Sequence, residues 1–310
     1  MAQKTPALIH LKSGGFEVGI APHIGGSITH YRYRSQTRCI DIFRPFTQSP
    51  EAGNQVLRMG CFPLVPYSNR IRDGKINTGS GPVSLPLNHA PEPHSCHGTG
   101  WQNLWHVEKH TPHSALLVLP PDKNFPLLYT ASQHISLSEE QLQITLTVTN
   151  LDQFEFPVGL GLHPYFPTRA DAKITANLPH EWTLDSHSMP IDRRQNKQTA
   201  GFFKGYKAQA LKEMSAYCGW DGRAMLHWPQ SGLKLVMRTE PPQAHLLMWA
   251  PKGETFFCVE PASHGIDGFD LAQRGAQHVG GFMLAPNKSY TQKFTFGVSF
   301  NNPPNTRPVK

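Results

Sequence analysis

Between Gln141 and Asn150 apolar and polar residues alternate without interruption: Leu142, Ile144, Leu146 and Val148 fall on one side, and Gln143, Thr145, Thr147 and Thr149 on the other. Successive side chains of a strand point to opposite faces. The spacing therefore predicts a strand that covers a core with one face and meets water or a polar cleft with the other. Alternation in Leu8–Ile28, broken at Pro22 and at Gly25-Gly26, predicts an opening hairpin, and Tyr31–Phe43 continues the pattern. Trp105–Val107 and Ser114–Leu119 read as paired strands. Lys173–Leu178, Thr183–Leu184, Leu233–Arg238, Leu246–Trp249, Phe256–Val259 and Lys293–Phe300 supply more. Thr47–Leu57 is polar without alternation and reads as a short helix or loop. Asn88–Gly100 reads as a loop carrying His89, His94 and His97, and Leu184–Gly205 as a surface excursion. Asn301–Lys310, polar with three prolines, is expected to be a disordered tail.

Composition supports many short strands over long helices. The 310 residues include 28 prolines and 26 glycines with only 16% charged residues, and both Pro and Gly interrupt helices. An antiparallel β-sandwich, all-β and undivided over residues 1–300, is the expected architecture, since sandwiches of this length commonly stay single. The formal charge of +7 comes from Lys and Arg spread along the chain. With no basic face and no recognisable reading element, nucleic acid is not an expected partner. Five cysteines, an odd number without C-x-x-C spacing, argue against a disulfide framework or a thiolate zinc site. No secretory signal and no window of eighteen apolar residues is visible, so the expectation is a cytoplasmic protein with no membrane partner.

Three stretches concentrate the candidate chemistry, and each reads as a strand end turning polar side chains into one cleft. Glu155–Pro167 sets His163 after two glycines, which permit close approach of other atoms, and fixes it from behind with a proline and two aromatic rings. Cys61–Gly74 carries the polar run Ser68–Asp73. There Arg70 and Arg72 alternate, so that one faces the cleft and the other pairs with Asp73 at the surface. In Phe256–Asp270, Glu260 ends an apolar run and Pro261 is expected to stop the strand. His94, Cys96 and His97 lack a fourth partner at metal-ligand spacing, so no metal is expected there. Trp101, Trp105 and Tyr165 suit either core packing or stacking on a sugar face.

The segments P-Y-S-N-R-I-R-D-G at Pro66–Gly74, H-G-x-x-W at His97–Trp101, G-L-H-P-Y-F at Gly161–Phe166 and V-E-P at Val259–Pro261 resemble, in order and spacing, the aldose 1-epimerase (galactose mutarotase) family across roughly residues 15–300. The resemblance implies a galactose mutarotase-like supersandwich and interconversion of the α and β anomers of a free aldohexose. It further implies His163 as general acid on the ring oxygen and Glu260 as general base on the C1 hydroxyl. Arg70, Asn69, His97 and Asp221 would be the sugar-binding residues. No cofactor and no metal is implied. The implied partner is a small-molecule sugar, and a monomer or weak homodimer is expected. Moving a proton off one hemiacetal oxygen and onto the other needs only a positioned acid and base.

Three other readings stay open at this level. A hexose 6-phosphate mutarotase would need extra cations at the cleft mouth, for which Arg32, Arg34 and Lys75 are the candidates. A glycoside hydrolase would need a second carboxylate opposite Glu260, from Asp221 or Asp267. A non-catalytic carbohydrate-binding protein would keep the sugar site without turnover.

Overall fold

Two large antiparallel sheets dominate the computed structural model, which describes residues 8–47, 55–168 and 171–301. The first has nine strands in the order His106–His110, Ser114–Leu119, Tyr129–Leu137, Gln141–Asn150, Ser289–Phe300, Leu233–Glu240, Arg223–Trp228, Lys173–Ala176 and Tyr206–Lys207. The second runs Pro190–Gln195, His180–Leu184, Met214–Cys218, His245–Trp249, Phe256–Ala262, Gly161–Leu162 and Pro63–Leu64, with Tyr165–Pro167 also pairing with Phe256–Ala262. A four-stranded sheet, Ile9–Ser13, Phe16–Ala21, Ser27–Arg34 and Cys39–Asp41, stands beside them.

The alternation in Gln141–Asn150 places Leu142, Ile144, Leu146 and Val148 in the main core. That core also receives Leu162, Phe166, Leu246, Met248, Phe257 and Val259 from the second sheet, so the two sheets share one apolar interior. The second sheet is covered on its other face as well. Along Phe256–Ala262 every residue is buried: Phe257 and Val259 enter the main core, while Phe256 and Cys258 join a smaller cluster with Phe62, Trp101 and Tyr165. Glu260 shares the face of that smaller cluster by the period of two. This outer face is the floor of the candidate site.

Several expectations are corrected. The opening hairpin across Pro22–Gly26, Phe16–Ala21 paired with Ser27–Arg34, is joined by a further strand, Ile9–Ser13, through a turn at Gly14 and Gly15. Lys75–Thr78 pairs with Gly81–Ser84, a hairpin that the alternation does not predict. Tyr129–Leu137 is a central strand whose inward face carries Ala131 and Gln133, which disguise the apolar period; the Gln133 amide is buried and donates to the Gly26 carbonyl at 2.9 Å. The strands Met214–Cys218 and Arg223–Trp228 were likewise unmarked. Leu184–Gly205 contains the strand Pro190–Gln195 and the helix Thr199–Phe203. Pro261 does not stop its strand, which runs through it to Ala262. On one side Pro261 is in register with Leu246; on the other the neighbouring chain leaves the ladder at His163 and Pro164. Residues 48–54 of the expected helix or loop and residues 302–310 of the expected tail lie outside the described residues; Gln55–Arg58 form a 3-10 turn.

No described helix is long and apolar enough to cross a membrane. All five cysteines are free thiols, four of them buried and Cys39 exposed.

Candidate active site

Tyr165 is in register with Cys258, and Gly161 with Ala262, so the interrupted stretch between them brings His163 opposite Glu260. Residues directly opposite on antiparallel strands point to the same face and nearly touch. His163 Nε2 accordingly lies 3.4 Å from Glu260 Oε1, with both residues buried at the bottom of a cavity of about 490 Å³. The backbone of the interrupted stretch is fixed by the N–H of His163 donating to Phe62 (3.0 Å) and that of Tyr165 donating to Gly60 (2.9 Å).

The His163 imidazole is held in a cluster of rings. Tyr165 (centroids 4.7 Å apart, 20° between planes) and Phe62 (4.6 Å, 28°) both pack on it and are themselves 6.1 Å apart, and Trp101 stacks on Phe62 at 5.7 Å. The guanidinium of Arg44 lies over the Tyr165 ring, 3.9 Å from its centroid, and donates to the carbonyls of Leu57 (2.6 Å) and Met59 (2.9 Å). Burial lowers the His163 pKa to about 3, with the nearby Arg44 cation adding to the effect. Burial raises Glu260 to about 8, partly offset by Arg70. Each group is thus driven toward its neutral form, and the pair by itself favours one proton, resting on the carboxyl group. His163 Nδ1 and Glu260 Oε2 have no hydrogen-bond partner among the described residues.

Arg70 and His97 are coupled through Asn69. The Asn69 backbone N–H donates to His97 Nδ1 at 3.0 Å, which leaves the ring proton on Nε2, and the His97 N–H donates back to the Asn69 carbonyl at 2.9 Å. Asn69 Oδ1 accepts from the Arg70 backbone N–H (3.0 Å) and from Arg70 Nη1 (3.3 Å). Burial first, then the charge His163 would carry, hold the His97 pKa well below the usual value, so it presents a neutral donor. The glycine of the H-G-x-x-W segment is sterically required: Gly98 has φ of +66°, and a Cβ there would lie 2.1 Å from the Val65 carbonyl oxygen.

Asn69, Arg70, His97, His163 and Glu260 all line one cavity. Asp221 does not. It sits exposed in the turn between Met214–Cys218 and Arg223–Trp228, where its carboxylate accepts from the Arg223 backbone N–H at 3.1 Å. Its C-G-W-D-G-R setting is that of a local turn, and the carboxylate is spent there. The carboxylates the sequence did not point out are Glu92 and Glu213, which line the cavity with Trp249. Glu92 grips Arg70 through both oxygens, 3.0 Å to Nε and 2.5 Å to Nη2. Nothing in A-P-E-P-H announces that role, because the pairing joins residues 22 apart across a loop.

The other expectations are also resolved. Arg72 pairs with Asp267, fully buried, at 3.0 Å and not with Asp73, because the chain around Asp267 returns beside the strand Arg70–Ile71. The glycine before His163 is filled by another histidine: a Cβ on Gly159 would lie 2.0 Å from His264 Cδ2. His264 Nδ1 donates to the Gly265 carbonyl (2.7 Å) and Nε2 accepts from the Ser68 N–H (2.9 Å), which anchors the start of the polar run. Trp105 packs in the main core, and Tyr165 is covered by His163 and Arg44. His94 Nδ1 and His97 Nδ1 each accept from a backbone N–H, of Asp73 and Asn69 respectively. Among the described residues, the group able to offer three metal-ligating atoms is His163, Cys258 and Glu260, whose donor atoms lie within 4.8 Å of one another. An ion there would occupy the atoms of the His163–Glu260 pair.

The sequence profile described as aldose 1-epimerase matches residues 7–297. YphB of Escherichia coli K12, an uncharacterized protein, is 29% identical over 248 residues, 77% of this chain and 84% of its own length. A solved structure from Escherichia coli K12, described provisionally as an aldose 1-epimerase, superposes with a TM-score of 0.84 at 26% identity, covering 95% of this chain and 99% of that one. A galactose mutarotase-like protein of Clostridium acetobutylicum shares the fold at a TM-score of 0.82 and 20% identity, with 94% and 95% covered.

Proposed function

Because this chain belongs to the aldose 1-epimerase family, we propose that it interconverts the α and β anomers of an uncharged free aldose. The observation that carries the proposal is the His163–Glu260 pair, side by side at 3.4 Å on the cavity floor. The two oxygens that must exchange protons, the ring oxygen and the C1 hydroxyl, are bonded to the same carbon. An acid and a base standing side by side therefore reach both from one side of the sugar; they need not bracket the ring.

In the forward direction Glu260, as carboxylate, takes the C1 hydroxyl proton while the imidazolium of His163 gives a proton to the ring oxygen. The C1–ring oxygen bond breaks, a C1 carbonyl forms, and rotation about C1–C2 presents its other face. Closure reverses both transfers. The ion-pair form carries the same single proton as the neutral pair that burial favours, and hydrogen bonds from sugar hydroxyls offset the cost of charging it. Arg70 offers donors to neighbouring hydroxyls, and His97 Nε2 offers one more.

The cavity lining favours a neutral sugar over a sugar phosphate. Among the described residues its one permanent cation, Arg70, is bound to Glu92, and two further carboxyl groups, Glu213 and Glu260, face the same space. Arg32 lies in a separate groove with Lys12 and Glu17, and neither Arg34 nor Lys75 lines the cavity. The second carboxylate a hydrolase would draw from Asp221 or Asp267 is absent from the lining too.

Polarimetry on freshly dissolved pure anomers of glucose, galactose and glucose 6-phosphate tests the reading. Catalysed equilibration of a free hexose, undiminished after exhaustive chelation and gel filtration, is the expected result. Failure to accelerate any free aldose, or a preference for the phosphate, would sink it.

A further inference from the structure

Glu260 has a second reactive neighbour, and the proposed proton transfers make no use of it. Cys258 stands two residues before Glu260 on the strand Phe256–Ala262, so the period of two puts its free, buried thiol on the same face. His163 reaches that face from the neighbouring chain, whose Tyr165 is in register with Cys258. One ligand atom each from His163, Cys258 and Glu260 falls within 4.8 Å of the other two, and among the described residues this is the one group of three so placed to hold a metal ion.

Spacing and donor type agree on the ion. Zinc bonds nitrogen and oxygen at about 2.0–2.2 Å and thiolate sulfur at about 2.3 Å, which in a tetrahedron separates the donors by roughly 3.3–3.6 Å. His163 Nε2 and Glu260 Oε1 are already 3.4 Å apart, and the thiol has at most about 1.3 Å to close. Glu260 Oε2 and His163 Nδ1 have no hydrogen-bond partner among the described residues, so the cluster can coordinate without breaking bonds to the rest of the protein. Charge agrees as well. Thiolate and carboxylate together cancel a divalent cation, and a neutral ensemble is what a dry pocket tolerates best. Approach is favoured too: Glu92, Glu213 and Glu260 line the cavity, while Arg70 is held by Glu92. Magnesium and calcium, which take six or more oxygens, do not suit one sulfur, one nitrogen and one carboxylate.

We infer that His163, Cys258 and Glu260 form an inhibitory site for a thiophilic divalent cation of the zinc type. Binding expels the thiol proton and the carboxyl proton, and the ion takes both the acid and the base out of use. The metal site stands on the geometry alone; that its occupation stops turnover rests on the proposed mutarotase reading.

The full chain, after chelation and gel filtration, tests this. Zinc is titrated by calorimetry with and without galactose, cobalt(II) is added as a spectroscopic stand-in, and anomer exchange is followed by NMR. One zinc per chain, a near-ultraviolet sulfur-to-cobalt band, and inhibition that chelation reverses and galactose weakens are expected; magnesium and calcium should do nothing. Cys258→Ala and Cys258→Ser should each abolish the band and weaken zinc binding by more than the ~10–100-fold that loss of an outer-shell partner costs. Inhibition is scored against each variant's own metal-free rate, and the parent's cobalt band needs no variant at all. A parent without that band, or folded variants as zinc-sensitive as the parent, overturn the site. A protein that exchanges no anomers when free of metal, yet binds zinc through Cys258, keeps the site and overturns the mutarotase reading, and with it the inhibitory role.

Discussion

The strands Gln141–Asn150 and Phe256–Ala262 lie in different sheets and face the same core, yet they use their second faces in opposite ways. On Gln141–Asn150 the second face carries glutamine and threonines, half-exposed, with hydroxyls pairing across to the next strand: Thr147 with Thr291 and Thr149 with Ser289, each at 2.8 Å. On Phe256–Ala262 the second face is buried too, and its one ionisable side chain beyond the Cys258 thiol is Glu260, with Oε2 unmatched among the described residues. A polar group on a wet face costs nothing and implies nothing. A carboxyl group on a dry face is expensive unless it is neutral or engaged, and its presence marks a function.

The sharpest way to break this contrast is to remove the polar groups of the dry face. His163→Asn and Glu260→Gln should each lower turnover by ~10²–10⁴, the usual contribution of positioned proton transfer. The double mutant should lose far less than the product of the two, because neither transfer proceeds without the other. The pH profile should be a broad bell. On its alkaline side activity falls near pH 8, as the pair loses its single proton, consistent with the raised Glu260 value of about 8. On its acid side the fall comes well below the ordinary histidine range, since His163 is lowered to about 3. A profile centred on an unshifted histidine pKa, or single mutants that equilibrate glucose and galactose at the parent rate, would show that the dry face has been misread.

Arg70→Ala should come next. A charged hydrogen bond contributes about 1.5–3 kcal/mol, so KM is expected to rise roughly ten- to a hundredfold, with kcat changed less. Progress curves across sugar concentrations separate the two. An unchanged KM would place the sugar elsewhere in the cavity.

Arg72→Ala should act on stability alone. Its guanidinium is the side-chain partner of Asp267, whose carboxyl group burial already pushes toward a raised pKa while Arg72 pulls it down. Losing that partner exposes a buried carboxylate oxygen to the cost of an unmet hydrogen bond, about 1–3 kcal/mol, at the low end because Arg72 is itself one-third exposed. Urea unfolding reads the loss, while turnover per folded molecule should hold. If turnover falls as it does for Arg70→Ala, the alternation of the two arginines does not separate cleft from support.

The same contrast explains what could be read from the chain. Strands with one wet face announce themselves by alternation, and Gln141–Asn150 appears with the bounds its pattern implies. Strands with two dry faces do not alternate. Met214–Cys218, buried almost throughout, gave no signal, and Tyr129–Leu137 hid its period behind Ala131 and Gln133. His163, Glu260, Arg70, Asn69 and His97 were legible because each sits in a short segment whose glycines, prolines and aromatics constrain it locally. Glu92, Trp249, Arg44 and His264 act through partners distant in sequence or through one face of a ring, and such pairings leave no local trace. Asp221 shows the converse, since a D-G turn satisfies its own aspartate.

The smallest expected effect is on the wet face, and it is the control on which the contrast depends. Thr147→Val keeps the side chain's shape and its β-branched fit to the strand while deleting the hydroxyl paired with Thr291. Both hydroxyls are open to solvent, so water replaces the lost partner, and Val148 on the other face keeps its place in the core. The change in unfolding free energy should stay within about 0.5 kcal/mol, the range of surface substitutions, and the urea midpoint should barely move. Turnover should match the parent, because this strand is in the sheet that does not line the cavity. A loss above about 1 kcal/mol, beyond the usual span of a cross-strand pair, would mean that the second face of Gln141–Asn150 is covered in solution, and the distinction between the two strands would have to be drawn elsewhere.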